Sequence, residues 1–385
     1  MKTCVKTGAL VFFLMILSMA GINPTKAKAD MIDITQDGVY EYNDVQLQGR
    51  SYTAVYFEVK NYGTEQAGIT LMGLRSKENI LYIPSSIGNI PVTTVGGGYD
   101  AKKTKNFTQA STNEAYFWGE EARKTYKEMK IPSTVKCIES YGLDCARINK
   151  MVVPKSVEFM GGGTGIREVV IKGKNTTIDE GAFACGRLKK ISFPKDYQGS
   201  IGMQAFERTH LQTFVWPKYS KKDMKKKMGW AVFQGCKELE KIIFPKNVKY
   251  VYIPWNCFSD TSMLDSITFP KGVKEVVYDF QEAVAKGYAT APSRLIFKGK
   301  NTKLKGIKAT KHLSNYLVTN KEYYGVKLKN REFLATGKVI APKKSKAIRY
   351  AKKAYRFKDI KFIRNWTSRG GEAFHLMKMK WAYLK

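Results

Sequence analysis

Histidine, paired cysteines and long apolar runs are what this chain has least of. Its three histidines, His210, His312 and His375, stand in unrelated segments without metal-ligand spacing. The cysteines include no Cys-x-x-Cys pair, and once a leader carrying Cys4 is set aside, five remain: Cys137, Cys145, Cys185, Cys236 and Cys257. An odd number without close pairs argues against a disulfide framework and against a structural zinc. Acidic residues number half the basic ones, 33 against 66, and mostly alternate with lysine, so spacing picks out no catalytic carboxylate pair. Gly161-Gly162-Gly163 and Gly173-Lys174-Asn175 lack the Gly-Lys-Ser/Thr of a phosphate-cradling loop and read as turn glycines. The sequence therefore points away from an enzyme and names no catalytic, cofactor or metal residue.

No apolar run reaches the ~20 residues that span a bilayer. The stretch from Ala9 to Ala20 falls short, and with Lys2, Lys6 and Ala27-Lys28-Ala29 it reads as a secretory signal peptide cleaved after Ala29. The 356 residues beyond hold no second such segment, so no transmembrane insertion is expected and the product is secreted, extracellular or loosely surface-associated. Neither a Leu-Pro-x-Thr-Gly sorting signal nor a C-terminal apolar anchor is present, which speaks against covalent attachment to a cell wall. With 43% apolar residues the exported part is expected to fold.

What the chain does have is a repeat. Ala182-Phe183, Ala205-Phe206, Val232-Phe233 and Cys257-Phe258 place a phenylalanine every 23, 27 and 25 residues. A leucine follows each, at Leu188, Leu211, Leu239 and Leu264, and then comes a short alternating segment ending in proline. Those segments are Ile191-Ser192-Phe193-Pro194, Phe214-Val215-Trp216-Pro217, Ile242-Ile243-Phe244-Pro245 and Ile267-Thr268-Phe269-Pro270. The alternation predicts a strand with its two outer residues on one face and the middle one on the other, and proline, lacking an N–H, ends it. One such unit has no core of its own, so the Phe and Leu positions require the next coil to stack on them: a solenoid. Cys185 and Cys236, two or three residues past a phenylalanine, are expected to be buried in the stack as small apolar residues rather than to act as catalytic thiols.

The pattern [apolar]-x-[apolar]-Pro-Lys-x-Val followed by Ala-Phe-x-x-Cys-x-x-Leu resembles the bacterial surface-antigen type of leucine-rich repeat, the BspA-like family. The best copies are at 178–195 and 232–248, with weaker ones over roughly 81–297. The resemblance implies a leucine-rich-repeat-like solenoid, mainly β with short irregular or helical arms and capped at both ends. It further implies a bacterial surface or secreted binding protein, engaged in adhesion or in protein or glycan interaction, and carries over no residue-level binding motif.

The expected organisation is a leader at 1–29, an N-terminal β cap at 30–80, repeats at 81–297, and degenerate repeats, a C-terminal cap and a basic tail at 298–385. The cap region shows β-rich runs at Tyr52 to Val59 and Ile69 to Leu74; a separate ligand-binding module is the other reading of it. Leu81 to Gly96 resembles the family's opening repeat, in which a short hairpin leads into the first coil. An insertion near 97–130 interrupts the repeats, with a helix predicted over Glu114 to Met129. Its Tyr116, Phe117 and Trp118 are candidate exposed contacts on a rigid scaffold or, alternatively, pack onto the coil beneath. Lys218 to Met228, seven of whose eleven residues are lysine or aspartate, is expected to project as a basic loop. Ala341 to Tyr355 resembles the family's closing unit of strand, proline turn and short amphipathic helix.

Charge is uneven. Residues 295–385 hold 25 Lys and Arg against 4 Asp and Glu, out of a formal charge of +33 for the whole chain. Such a field attracts polyanions and weakens with salt. The candidate polyanion-binding residues are Lys343, Lys344, Lys346, Arg349, Lys352, Lys353 and Arg356, with Tyr350, Tyr355, Phe357, Phe362, Trp366 and Phe374 interleaved. The expected partner is a macromolecular surface ligand, a host protein or glycan, or an anionic cell-wall polymer. Nucleic acid enters only as a nonspecific polyanion.

Overall fold

The structure is a computed structural model that describes residues 32–96, 124–279 apart from 141, 144 and 145, 292–308, 332–333, 336, 338–362 and 372–384. The chain divides into two compact units, Met1–Ala182 and Phe183–Lys385.

The first unit opens on an antiparallel meander of β1 (Gly38–Leu47), β2 (Arg50–Lys60) and β3 (Gly68–Arg75), which contains both predicted β runs. Then follow β4 (Ile80–Tyr82), β5 (Ser86–Ile87) and β6 (Ile90–Val95). Gly88 and Asn89, at φ 53° and 66°, turn β5 into β6, the left-handed pair that a two-residue hairpin needs. The remaining strands are β7 (Tyr126–Lys130), β8 (Cys137–Ile138), β9 (Ile148–Val153), β10 (Phe159–Met160), β11 (Ile166–Ile171) and β12 (Thr177–Ile178). They build two parallel ladders, β4-β7-β9-β11 and β3-β6-β8-β10-β12, and from β7 on a longer strand in the first alternates along the chain with a two-residue strand in the second.

Register explains the core. Leu81, Met129, Met151 and Val169 align across the first ladder, Val95, Ile138, Met160 and Ile178 across the second, and all eight are fully buried. Each such side chain contributes about 1.5–3 kcal/mol by leaving water. On the outer face of the first ladder Glu128, Lys150 and Glu168 stand opposite one another with alternating sign, the favourable arrangement for cross-strand charges.

The helix predicted over Glu114 to Met129 is not found where the chain is described, because Tyr126 to Met129 lie in β7. Tyr126 and Met129 are buried three residues apart, a helix-like spacing. Parallel pairing of β7 with β4 and β9 overrides it.

The second unit contains β13 (Lys190–Ser192), β14 (Thr213–Val215), β15 (Lys241–Ile243), β16 (Tyr250–Ile253), β17 (Ser266–Phe269), β18 (Glu275–Tyr278), β19 (Arg294–Phe297) and β20 (Lys303–Lys305). After these come β21 (Ile307–Lys308), β22 (Glu332–Phe333), β23 (Lys338–Ala341), α1 (Lys346–Lys353), β24 (Tyr355–Phe362), β25 (Glu372–Lys378) and β26 (Lys380–Tyr383). Parallel ladders run β14-β15, β16-β18-β20 and β17-β19-β23-β26. The predicted alternation holds: Phe214 and Trp216 point inward and Val215 outward, as Ile242 and Phe244 do around Ile243.

Between the ladders run the phenylalanine arms. Phe183, Phe206, Phe233 and Phe258 stack at centroid spacings of 5.8, 5.6 and 5.7 Å, and the four following leucines are buried beside them. Backbone donors step from coil to coil: the N–H groups of Phe183, Phe206 and Phe233 donate to the carbonyls of Ala205, Val232 and Cys257. Each arm bends at two left-handed residues, two before and two after its phenylalanine: Gly181 and Cys185, Gln204 and Arg208, Ala231 and Gly235, Asn256 and Asp260.

That bend corrects the expectation for one cysteine. Cys236, three residues past Phe233, is fully buried with its thiol on the Phe206 carbonyl at 2.9 Å, whereas Cys185, two residues past Phe183, is exposed. A left-handed residue reverses the chain, so one position of offset separates inside from outside. Cys257 is also buried, Cys137 is half-buried, and Cys145 lies outside the described residues.

Nor does Lys218 to Met228 project as a loop. Tyr219, Met224 and Met228 are buried, and the Tyr219 hydroxyl donates to the Gly199 carbonyl at 2.8 Å. Met224 N–H donates to the Ser220 carbonyl in a helical turn, so the lysines ride on an anchored, compact segment. Among the described residues no helix is long and apolar enough to cross a membrane.

Candidate polyanion-binding surface

Helix α1 and the turn before it gather six of the seven candidate cations. Ser345 begins it as N-cap, its hydroxyl oxygen accepting the Ile348 N–H at 3.2 Å. Ala347, Ile348 and Ala351 bury one stripe where the helix packs on β20, β23 and β26. With that stripe fixed inward, Lys346, Arg349, Lys352 and Lys353 face outward, and Lys343 and Lys344 are exposed in the preceding turn. Lys344 itself is left-handed at φ 61°, just before the N-cap residue Ser345 of α1. Arg356 is placed elsewhere, near the start of β24, where it is registered with Met377 of β25. Tyr116, Phe117 and Trp118 lie outside the described residues.

None of the six cations enters an ion pair among the described residues. The charge also ignores the needs of the helix. Lys352 and Lys353 in the last turn suit the macrodipole, but the first turn has no acid and carries Lys346. A cation there opposes the dipole by about 0.3–1 kcal/mol.

Two aromatic residues absent from the sequence reading complete the surface. In β26, Trp381 and Tyr383 sit in register with Val339 and Ala341 of β23 and remain 37% and 43% exposed. Their rings lie 5.4 Å apart, and the Lys352 ammonium is 4.7 Å above the Trp381 ring. An exposed contact of this kind draws the cation to the ring face by about 0.5–1 kcal/mol. Lys380-Trp381-Ala382-Tyr383 shows the two-residue alternation of a strand, which is the signal that could have revealed the pair. Tyr350 serves structure instead, its hydroxyl oxygen accepting the Gly306 N–H at 2.7 Å. The surface can thus offer several unpaired cations and two aromatic rings to an anionic polymer.

Among solved structures the chain is similar to a leucine rich cell surface protein of Faecalibacterium prausnitzii, at 16% identity and TM-score 0.31, over 72% of this chain and 74% of that one. It is similar to the pneumococcal vaccine antigen PcpA at 15% identity and TM-score 0.37, over 69% and 66%. A leucine-rich repeat protein of Bacteroides ovatus matches at 15% identity and TM-score 0.21, over 86% and 98%. No curated protein matches the chain. The family model described as a BspA type leucine rich repeat region matches residues 162–282 in 6 copies, the stretch that holds the stacked phenylalanine arms. Residues 162–282 thus carry BspA-type leucine-rich repeats.

Proposed function

We propose that this chain is an exported bacterial surface or secreted binding protein. In this reading residues 1–29 direct export, the repeats form a solenoid, and β1 to β3 cap its first coil. Helix α1 with β26 covers its last coil, so that a rigid scaffold carries binding surfaces and takes no part in chemistry. The α1 surface docks on an anionic polymer, of the cell wall or of a host glycan.

The observation that carries the reading is the first turn of α1. Lys346 stands there, where it weakens the helix, Lys343 and Lys344 are exposed in the turn before it, and none of the three has an acidic partner among the described residues. Their charge is therefore available to an external anion.

The test exploits the inward stripe. Replacing Lys343, Lys344, Lys346, Arg349, Lys352 and Lys353 with glutamine leaves Ala347, Ile348 and Ala351 untouched, so the helix keeps its packing. Binding of the full chain and of this variant to purified Gram-positive cell walls and to a sulfated glycan is measured across a salt series. Steep salt dependence in the parent chain, and weaker binding with a shallower salt dependence in the variant, are expected. Equal binding by both would overturn the α1 assignment.

A further inference from the structure

Two of the six tryptophans occupy the same repeat position, three residues before a phenylalanine: Trp230 before Phe233 and Trp255 before Phe258. The corresponding residue of the preceding arm is Met203. Ala231 and Asn256, the next residues, are left-handed, and the bend leaves each indole on the outer side while the phenylalanine goes in. Adjacent coils hold the pair together, with Ala231 N–H donating to the Trp255 carbonyl at 2.7 Å. The rings lie 5.3 Å apart at 62°, Trp230 is 41% exposed, and Trp255 is half-buried. Together they make an open corner, the face of one indole set against the edge of the other.

The anchored basic turn runs directly beside this corner. Burial of Tyr219, Met224 and Met228 fixes Lys221, Lys222, Lys225 and Lys226 outward. Lys225 reaches across to the ring of Tyr252, 5.7 Å from its centroid, three residues before Trp255. Tyr252 is itself held by its hydroxyl, which donates to Asp279 at 2.9 Å. Asp223, the one acid within the turn, accepts from the Ser220 hydroxyl, which holds its carboxyl below its usual range. It does not neutralise the four exposed lysines.

Each half of this surface selects against part of the ligand space. Indole faces carry negative quadrupole and repel a bare anion, but they receive the C–H face of a sugar ring. Ammonium groups require an anion. Nucleobases stack best on flat, parallel platforms, and rings inclined at 62° offer no such pair. The geometry points to a second binding surface, for an acidic polysaccharide: a pyranose ring lies in the corner of Trp230 and Trp255 while its carboxylate or sulfate meets Lys225 and Lys226. This site is separate from α1 and stands independently of that assignment.

The test uses full-length protein, with sulfated dextran, unsulfated dextran and oligothymidylate as probes, at physiological and at high salt. Affinity and tryptophan fluorescence are read for the parent, the α1 glutamine variant, Trp230→Ala, and Lys225→Ser with Lys226→Ser. In the α1 variant at physiological salt, sulfated dextran still binds and quenches tryptophan emission, and adding Trp230→Ala weakens it about tenfold; high salt weakens binding to both forms. The double lysine change weakens it by a similar factor, and unsulfated dextran binds neither form measurably. Unchanged affinity on Trp230→Ala, in a protein with parental circular dichroism, overturns the proposal. So does an equal loss for oligothymidylate, which would make the corner a base platform. Parental affinity in the α1 variant would instead count against the α1 surface alone.

Discussion

Thr176 donates its hydroxyl hydrogen to the carbonyl oxygen of Val157 at 2.7 Å, tying one coil to the coil before it. The same bond recurs in the second unit, where Thr302 donates to Val273 at 2.8 Å. All four residues are buried, and each threonine closes a Lys-Gly-Lys-Asn-Thr run. Gly173 and Gly299 are required there, since a Cβ would meet the threonine oxygen at 2.1 and 2.8 Å. Replacing Thr176 with valine keeps the shape and strands the Val157 carbonyl, so a loss of about 1–3 kcal/mol is expected. Thr176→Ser keeps the donor and loses less. Denaturant unfolding of the two variants separates the hydrogen bond from packing.

The left-handed bends make an opposite prediction. Ala231 adopts φ 54°, a conformation that strains an L-residue by about 1–2 kcal/mol and costs glycine little. Ala231→Gly is therefore expected to raise stability by roughly 1 kcal/mol, although it removes a buried methyl. Gly235→Ala runs the other way: φ is 73° and the new Cβ would stand 2.7 Å from Cγ of Arg208. A lower melting temperature for Ala231→Gly would show that the lost methyl outweighs the relieved strain.

Thiol chemistry reports the same bends. In native protein Cys185 is expected to react with a maleimide, and Cys236 and Cys257 only after unfolding. Burial pushes the Cys236 thiol up to about 11, and the wholly buried Cys257 thiol is also raised well above 9.0. A folded-state value above the unfolded one means the native protein keeps its proton longer. Stability from Cys236 is full below about pH 9 and is lost as pH rises toward 11. Cys236→Ala should flatten that alkaline limb of the unfolding curve. An unchanged limb would assign it to Cys257 and the buried tyrosines.

What the residues disclosed in advance follows from what their physics repeats. Phe206 and Phe233 recur because stacked rings must, so their stacking was visible in spacing alone. Cys185 was misplaced because spacing says nothing of the sign of φ. Tyr219, Met224 and Met228 were overlooked among lysines, since three apolar residues in a charged segment anchor it only once a coil is present to receive them. Trp381 and Tyr383 escaped notice for a related reason: the alternation of Lys380 to Tyr383 is only four residues long, and it does not name its partner β23, some forty residues earlier.

Lys346 offers the sharpest separation of stability from binding. As the first residue of α1 it lies at the positive end of the helix dipole, and no acid shares its turn. Lys346→Glu puts a carboxylate where the dipole favours one, and a change of about 0.3–1 kcal/mol toward higher stability is expected. The same substitution reverses one charge on the proposed docking surface, so affinity for an anionic wall polymer should fall and its salt dependence become shallower. A protein that melts higher yet binds less would show that α1 is charged for its ligand and against its own fold. If both stability and binding fall, Lys346 has a structural partner, and the cations of α1 serve the helix rather than a polymer.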